Sequence, residues 1–327
     1  RRRHTRYISV TGVQTCTLPI FPITKIVYLL GVSLITYLGL RFSATIHELK
    51  VESFKGDIIA NPYMFASPTQ ELASKISVLL NYFKLFFLPS PLLADYSYDT
   101  IPYATFQSVS VWISLFLFFG LFLSAIFLVL KRSKGSFPLI LILGFFIPVS
   151  NIFIDLGAVM GERLFFHASV GLCLLFSMLV FGLINKIPKS LTIFGQAIKI
   201  SIIILLIIYS TLTIIRNPDW KNNSSLFLAD VVKAPNNVNI LSAAGTAYYQ
   251  LAILPKNAAQ SKYYAKKADS CFTKSISIFN GYFPAFMNKA LNYVVLNELD
   301  SSLKYVDYAQ KLIPGSQNAF EIGRAHV

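Results

Sequence analysis

The chain has 327 residues, of which 54% are hydrophobic and only 13% charged, with a mean hydropathy of +0.58. Soluble domains carry about 25% charged residues, so this balance excludes an ordinary soluble enzyme and reads as a membrane protein. The net charge of +14 is spread over short loops and the C-terminal region rather than gathered in one patch, which argues against nucleic-acid binding.

The two ends resemble translated sequencing-library adapter. Val10-Thr11-Gly12-Val13-Gln14-Thr15-Cys16-Thr17-Leu18-Pro19-Ile20 fits such a read except at Thr17, where alanine is expected, and Glu321-Ile322-Gly323-Arg324-Ala325-His326-Val327 fits one throughout. Residues 1–20 and 321–327 are therefore expected to be artefact, and the natural protein to extend beyond both. The alternative, a basic signal-like N-terminus, lacks a continuous apolar run. Residues 1–20 carry four arginines and no acid, and 321–327 one charge of each sign, so the remainder holds +10. Of the three cysteines, Cys16 falls in the adapter-like stretch, Cys173 in an apolar helix and Cys271 on a polar helix. They give no metal-ligand spacing and no disulfide framework.

Apolar runs of about 20 residues mark membrane-spanning helices. They predict spans at 21–40, 106–130, 137–155, 164–184 and 197–215. The loops Lys131-Arg132-Ser133-Lys134-Gly135-Ser136 and Asn185-Lys186-Ile187-Pro188-Lys189-Ser190 are basic, which places them on the cytoplasmic side. Segments 41–75, 94–105 and 156–163, and everything after 216, then face outward. The segment 76–93 is apolar but carries Asn81, Lys84, Pro89 and Pro91. A crossing there would reverse the topology, so it predicts an interfacial or re-entrant helix, with Tyr82, Phe83, Phe86 and Phe87 suited to that depth.

After residue 216 the composition becomes soluble and the apolar residues take helical spacing. Two helix pairs are predicted, 238–253 with 258–279 and 284–298 with 301–313, after a break at Pro235-Asn236-Asn237. Gly245 with Tyr248, and Ala290 with Tyr293, match the small residue and following tyrosine of a tetratricopeptide helix. Ala268 with Phe272, and Ala309 with Pro314, match its partner helix. A generic helical-hairpin domain is the plainer alternative. The fold class predicted is all-α: a polytopic helical membrane domain at 21–215 followed by an extracytoplasmic tetratricopeptide-like α-solenoid at 216–320.

Chemistry-bearing residues are few. Glu162 and Arg163 stand together at the mouth of a span, where charge is costly and often functional. Arg163 suits a phosphate through paired hydrogen bonds, with Glu162 orienting it or meeting a sugar hydroxyl. A structural ion pair at the helix start reads equally well. His167 follows at four-residue spacing and reaches the same ligand if it shares that face, or bonds a neighbouring carbonyl if buried. Asp95, Tyr96, Tyr98 and Asp99 share an outward loop. Acids and aromatics are the materials of a sugar site, or of a cation site, but also of a solvated interfacial loop. Asn61-Pro62 alone is a turn signal.

Taken in order, Asn61-Pro62, Leu88-Pro89 to Pro102 with Asp95-Tyr96-Ser97-Tyr98, Glu162-Arg163-Leu164-Phe165, and Trp220-Lys221 to Pro235-Asn236-Asn237 resemble the transmembrane-and-tetratricopeptide protein O-mannosyltransferase family over residues 21–320. The resemblance implies a GT-C-type membrane fold and a polyprenyl-phosphate sugar donor, such as a dolichyl-phosphate-mannose-like lipid, with transfer to Ser or Thr on the extracytoplasmic side. That side is the periplasm in a bacterium or the endoplasmic reticulum lumen in a eukaryote. It implies Arg163, Glu162 and His167 at the lipid phosphate, and Asn61, Asp95, Tyr96, Tyr98 and Asp99 in a sugar or acceptor loop. The family's acidic base is expected in a first outward loop upstream of this chain, Glu48 and Asp57 being poor substitutes, so the chain by itself is expected to be inactive. Two other readings stand beside it: a non-catalytic membrane scaffold whose repeats bind proteins, and a transporter, which the lack of inverted repeats disfavours.

Overall fold

The computed structural model describes residues 58–59, 61–153, 156, 158–188 and 192–314, together with helical residues at 32, 35–37 and 39–40. Residues 1–55 and 56–327 form two separate units, and every element below belongs to the second. Apart from those helical positions, the span predicted at 21–40 lies outside the described residues, as do Glu48, Asp57 and both adapter-like ends. Among the described residues every regular element is helical.

Helix α1 spans Pro68–Phe87. Ser67 and Gln70 start it with a reciprocal capping box: Ser67 Oγ accepts from Gln70 N at 3.3 Å, and Gln70 Oε1 accepts from Ser67 N at 3.1 Å. Pro68 at the first helical position loses no intrahelical bond. The helix thus begins eight residues before the predicted 76. It stops at Leu88 because Pro89 disfavours helical geometry in the residue before it. Tyr82 and Phe83 do not lie at a lipid interface as expected. They are 1% and 8% exposed and pack among Phe118, Phe146 and Phe165.

Helix α2, Val109–Leu130, has 22 residues, about 33 Å at 1.5 Å per residue, and buries only Val111, Ser114 and Ala125. An apolar helix that exposes its apolar surface is built for lipid. Helix α3, Ser136–Phe146, continues as a 3-10 turn over Ile147–Val149. The full span predicted at 137–155 is therefore a shorter apolar helix that ends at 149. Asn151 closes the following turn at φ 60°, accepting from Leu156 N and donating to the carbonyls of Ala158 and Val159. Asparagine tolerates that left-handed conformation better than most residues.

Helix α4, Glu162–Lys186, and helix α5, Thr192–Arg216, have 25 residues each. Helix α5 runs on as a 3-10 turn over Asn217–Lys221. Among the described residues, three helices are long and apolar enough to cross a membrane: Val109–Leu130, Glu162–Lys186 and Ile193–Lys221. The chain is a membrane protein. Gly171 lets α3 and α4 touch, since a Cβ there would sit 2.8 Å from the Pro138 carbonyl oxygen and 2.9 Å from Ile142 N.

Helix α6, Asn223–Lys233, was not separated from its neighbours in the sequence. Its cap is readable in hindsight: Asn222 Oδ1 accepts from Ser225 N at 2.8 Å. Helices α7 (Val238–Ile253) and α8 (Ser261–Ile278) form one packed pair, and α9 (Phe283–Val295) and α10 (Leu299–Leu312) a second. The small residues predicted at the contacts are there. Ala268, Ala290 and Ala309 are fully buried, and a Cβ on Gly245 would lie 2.6 Å from the Phe272 ring. Tyr293 stacks on Tyr305.

Candidate functional site

Two cavities flank the turn that follows α1. The larger, about 660 Å³, is predominantly apolar. Its walls are the end of α1 (Tyr82, Leu85, Phe86, Phe87), Pro89 and Leu92 of the turn, one face of α4 and the inner side of α5. On α4 that face is Glu162, Phe166, Ser169, Cys173, Phe176 and Ser177, stepping by three or four as one helix stripe must. Opposite stand Ile202, Leu206, Tyr209 and Thr213 of α5. From Arg163 to Ser177 the cavity follows α4 for about 21 Å at the helical rise. Tyr209 ties its wall together, with its hydroxyl 2.8 Å from the carbonyl oxygen of Phe87 and 3.1 Å from that of Phe86, satisfying helix-end acceptors.

The polar end of this cavity is the start of α4. Arg163 lines it, is exposed, and has no carboxylate partner among the described residues. Among the described residues no side chain caps α4, whose first peptide N–H groups add partial positive charge at the same end. Glu162 does not orient Arg163. Its Oε1 accepts from Leu93 N at 2.8 Å and from the Tyr96 hydroxyl at 2.7 Å. Both residues line the cavity, but neighbours on a helix point about 100° apart, and the Glu162 carboxylate is taken by the 93–96 loop. His167 does not join Arg163 either. Four residues advance a helix about 40° past a full turn, and here that offset carries His167 onto the Phe145 ring of α3, at a centroid distance of 5.3 Å.

The residues predicted as a sugar or acceptor loop scatter over four surroundings. Asn61 is exposed and shapes a turn, accepting from Tyr63 N at 3.2 Å, while the Pro62 carbonyl takes the Tyr103 hydroxyl at 2.6 Å. Tyr98 packs against Phe65, Tyr103 and Phe279. Burial first, then the charge of Asp99, raises its phenol above the ordinary value. Asp95 is a latch, with Oδ2 accepting from Ser97 Oγ at 2.5 Å, Asn239 Nδ2 at 3.2 Å and Asn237 Nδ2 at 3.3 Å. Tyr96 and Asp99 reach a second cavity, of about 320 Å³, on the other side of the turn. Burial, and then the Glu162 carboxylate, push the Tyr96 phenol far above its ordinary value, so it remains a proton donor.

One residue central to this region carried no signal in the sequence. Asp230 of α6 is fully buried. It accepts from Ala94 N at 2.7 Å and takes Arg216 in a two-pronged pair at 2.6 and 3.0 Å. Arg216 also reaches Asp219 at 2.8 Å. Glu162 and Asp230 therefore hold the successive amides of Leu93 and Ala94, one from the start of α4 and one from α6. Among the described residues no three His, Cys, Asp or Glu side chains gather as a cation site.

No protein-family model matches the chain, and no solved structure matches it. Curated relatives do. The mouse (Mus musculus) protein O-mannosyl-transferase TMTC1 is 35% identical over 96 residues, which is 29% of this chain and 10% of the relative. The Drosophila melanogaster protein O-mannosyl-transferase Tmtc3 is 28% identical over 189 residues, 55% of this chain and 20% of the relative. The mouse TMTC3 is 24% identical over 272 residues, 80% of this chain and 28% of the relative. The chain, a helical membrane protein with an arginine at the polar end of an apolar cavity, is thus similar to protein O-mannosyl-transferases, of which these matches cover between 10% and 28% of the length.

Proposed function

We propose that the chain is part of a membrane protein O-mannosyltransferase of GT-C type and contributes the site for a polyprenyl-phosphate mannose donor. The observation that carries this reading is the long apolar cavity ending at an arginine that has no carboxylate partner among the described residues. A prenyl tail would lie along α4 and α5, and the phosphate would meet the Arg163 guanidinium and the first peptide N–H groups of α4. Displacement of the phosphate from the sugar concentrates negative charge on it, and a cation fixed at that point lowers the barrier. Glu162 acts indirectly by fixing the turn that walls the cavity, and His167 has no part in holding phosphate. Helices α7–α10 lie outside the membrane as tetratricopeptide-like repeats and present the Ser- or Thr-bearing protein acceptor.

The test is binding of polyprenyl phosphate to the chain in lipid nanodiscs, read by native mass spectrometry. Losing a charged hydrogen-bond donor costs about 1.5–3 kcal/mol, so Arg163→Ala should bind roughly 10- to 150-fold more weakly, with Arg163→Lys between the two. Equal binding by Arg163→Ala overturns the assignment. One finding favours a second reading, a membrane-anchored scaffold: the carboxylates of Glu162, Asp95 and Asp230 are all engaged in holding structure. The scaffold reading expects no binding of the lipid phosphate at all.

A further inference from the structure

The smaller cavity lies between α1, the 90–101 loop and the 233–237 break before α7. We infer that it is a carbohydrate subsite, separate from the lipid cavity, that takes a single sugar ring from the aqueous side. The inference rests on the proposed function only for its choice of probe sugar. Asn81, Lys84, Ser90, Asp99 and Asn236 line this cavity, and their side chains make no hydrogen bond or ion pair among the described residues. Their neighbours differ: Tyr96 and Asn237 are committed to Glu162, Asp95 and Thr100.

The free set is chemically balanced. Two amides offer donors and acceptors, the hydroxyl offers both, the ammonium donates and the carboxylate accepts. In net charge Asp99 answers Lys84, and the other cation of the lining, Lys233, is held by Asp219 and Asp230, so the cavity gives little preference for an anion. A ring of adjacent hydroxyls, each donor and acceptor, fits such a set, while Leu85 and Met160 supply an apolar wall for its C–H face. The volume of about 320 Å³ falls at the lower end of small-molecule sites, which begin near 300 Å³.

The direction of approach follows from the lining. The segments 90–101 and 233–237 lie outside the three helices long enough to cross a membrane. The turn at 89–93 separates the two cavities: Pro89 and Leu92 line the apolar one, and Ser90, Pro91 and Leu93 the polar one. A sugar carried on a water-soluble chain reaches the polar side without passing through lipid.

The experiment is saturation-transfer NMR of methyl α-D-mannopyranoside with the full chain in detergent micelles. The glycoside should give ring-proton signals that mannose-free polyprenyl phosphate does not displace. Asn81→Leu with Asp99→Asn should weaken binding at least tenfold. Asparagine suits the positive φ of 66° at position 99, which guards the fold. Asn236→Ser, in an exposed loop, is the second variant should the first fail to fold, with a several-fold loss expected. Arg163→Ala should retain the signal. No signal from the parent chain, or equal signals from these cavity variants, overturns the inference. Displacement by polyprenyl phosphate, or loss with Arg163→Ala, overturns it by placing the ring in the lipid cavity. Failure here would leave the polyprenyl-phosphate result at Arg163 unchanged, so the two readings fall separately.

Discussion

Leu93 N and Ala94 N are consecutive donors, and each meets a carboxylate from a different helix, Glu162 Oε1 at 2.8 Å and Asp230 Oδ2 at 2.7 Å. A charge as buried as Asp230 persists only when its oxygens are filled, and here Arg216 and Ala94 fill them. Removing Asp230 leaves the buried Arg216 with Asp219 alone and strips Ala94 N of its acceptor. Asp230→Ala should therefore destabilise the fold by about 3–5 kcal/mol, read as a fall in detergent-solubilised thermal unfolding. The double substitution Asp230→Leu with Arg216→Met should recover much of that loss, because an apolar pair leaves no stranded charge. If the double variant is no more stable than Asp230→Ala, the guanidinium is not what makes the single change costly. At this scale the sequence was partly legible. Charge at the mouth of an apolar helix flagged Glu162 and Arg163, yet adjacency suggested that they cooperate, and helix geometry turns them apart. Asp230 was invisible because its hydrogen-bond partners, Ala94 and Arg216, are more than ten residues away, and a Lys233 at i+3 does not by itself mark a fully buried acid.

Helix contacts in this molecule turn on a few positions without side chains. At Gly171 the obstacles to a Cβ are backbone atoms of α3, the Pro138 carbonyl oxygen and Ile142 N. Backbone yields less readily than a side-chain tip. Gly171→Ala should cost about 1–3 kcal/mol from overpacking, beyond the roughly 1 kcal/mol that alanine returns in helix propensity. At Gly182, farther along the same helix, a Cβ would meet nothing within 4 Å. Gly182→Ala should leave thermal unfolding unchanged or raise it, and a fall as large as that at 171 would sink the packing explanation. Between α7 and α8, Gly245→Ala should also destabilise, because the ring in its way, Phe272, is fully buried and has nowhere to swing. The small positions of these helices were legible from spacing with the tyrosines that follow. The start of α1 lies outside its apolar stretch, although Ser67-Pro68-Thr69-Gln70 spells a capping box with proline at the first helical position. Apolar content drew attention to the middle of the helix and away from its polar first turns. The shortness of α3 also escaped notice, because hydropathy does not register the turn that Asn151 makes at φ 60°.

Across the whole second unit, helices α7–α10 are joined to the 58–101 region by contacts of long sequence separation. Asn237 is 1% exposed and does two things at once: Oδ1 caps α7 at Ile240 N, and Nδ2 reaches Asp95 and Thr100. Ile58 and Tyr98 complete the joint by packing around Val238, Tyr282 and Ala285. Asn237→Ala removes both the cap and the bridge. Amides of residues 94–101 should then exchange with solvent about tenfold faster for each 1.4 kcal/mol lost from the closed state, while those of α9 and α10 stay protected. Faster exchange throughout α7–α10 would instead mean that Asn237 holds the hairpins rather than the joint. Hydropathy made legible the three helices that, among the described residues, are long and apolar enough to cross a membrane. Which loop meets which helix was not, since side-chain contacts across more than a hundred residues leave no periodic trace.

The Pro89–Leu93 turn that separates the two cavities is one backbone thick, so its faces are not independent surfaces. Leu92 and Leu93 line opposite sides of the same short segment, so a substitution that shifts the segment reshapes both chambers at once. Enlarging one chamber by substitution is therefore also an alteration of the other, and selectivity on the two sides of this wall can only evolve together.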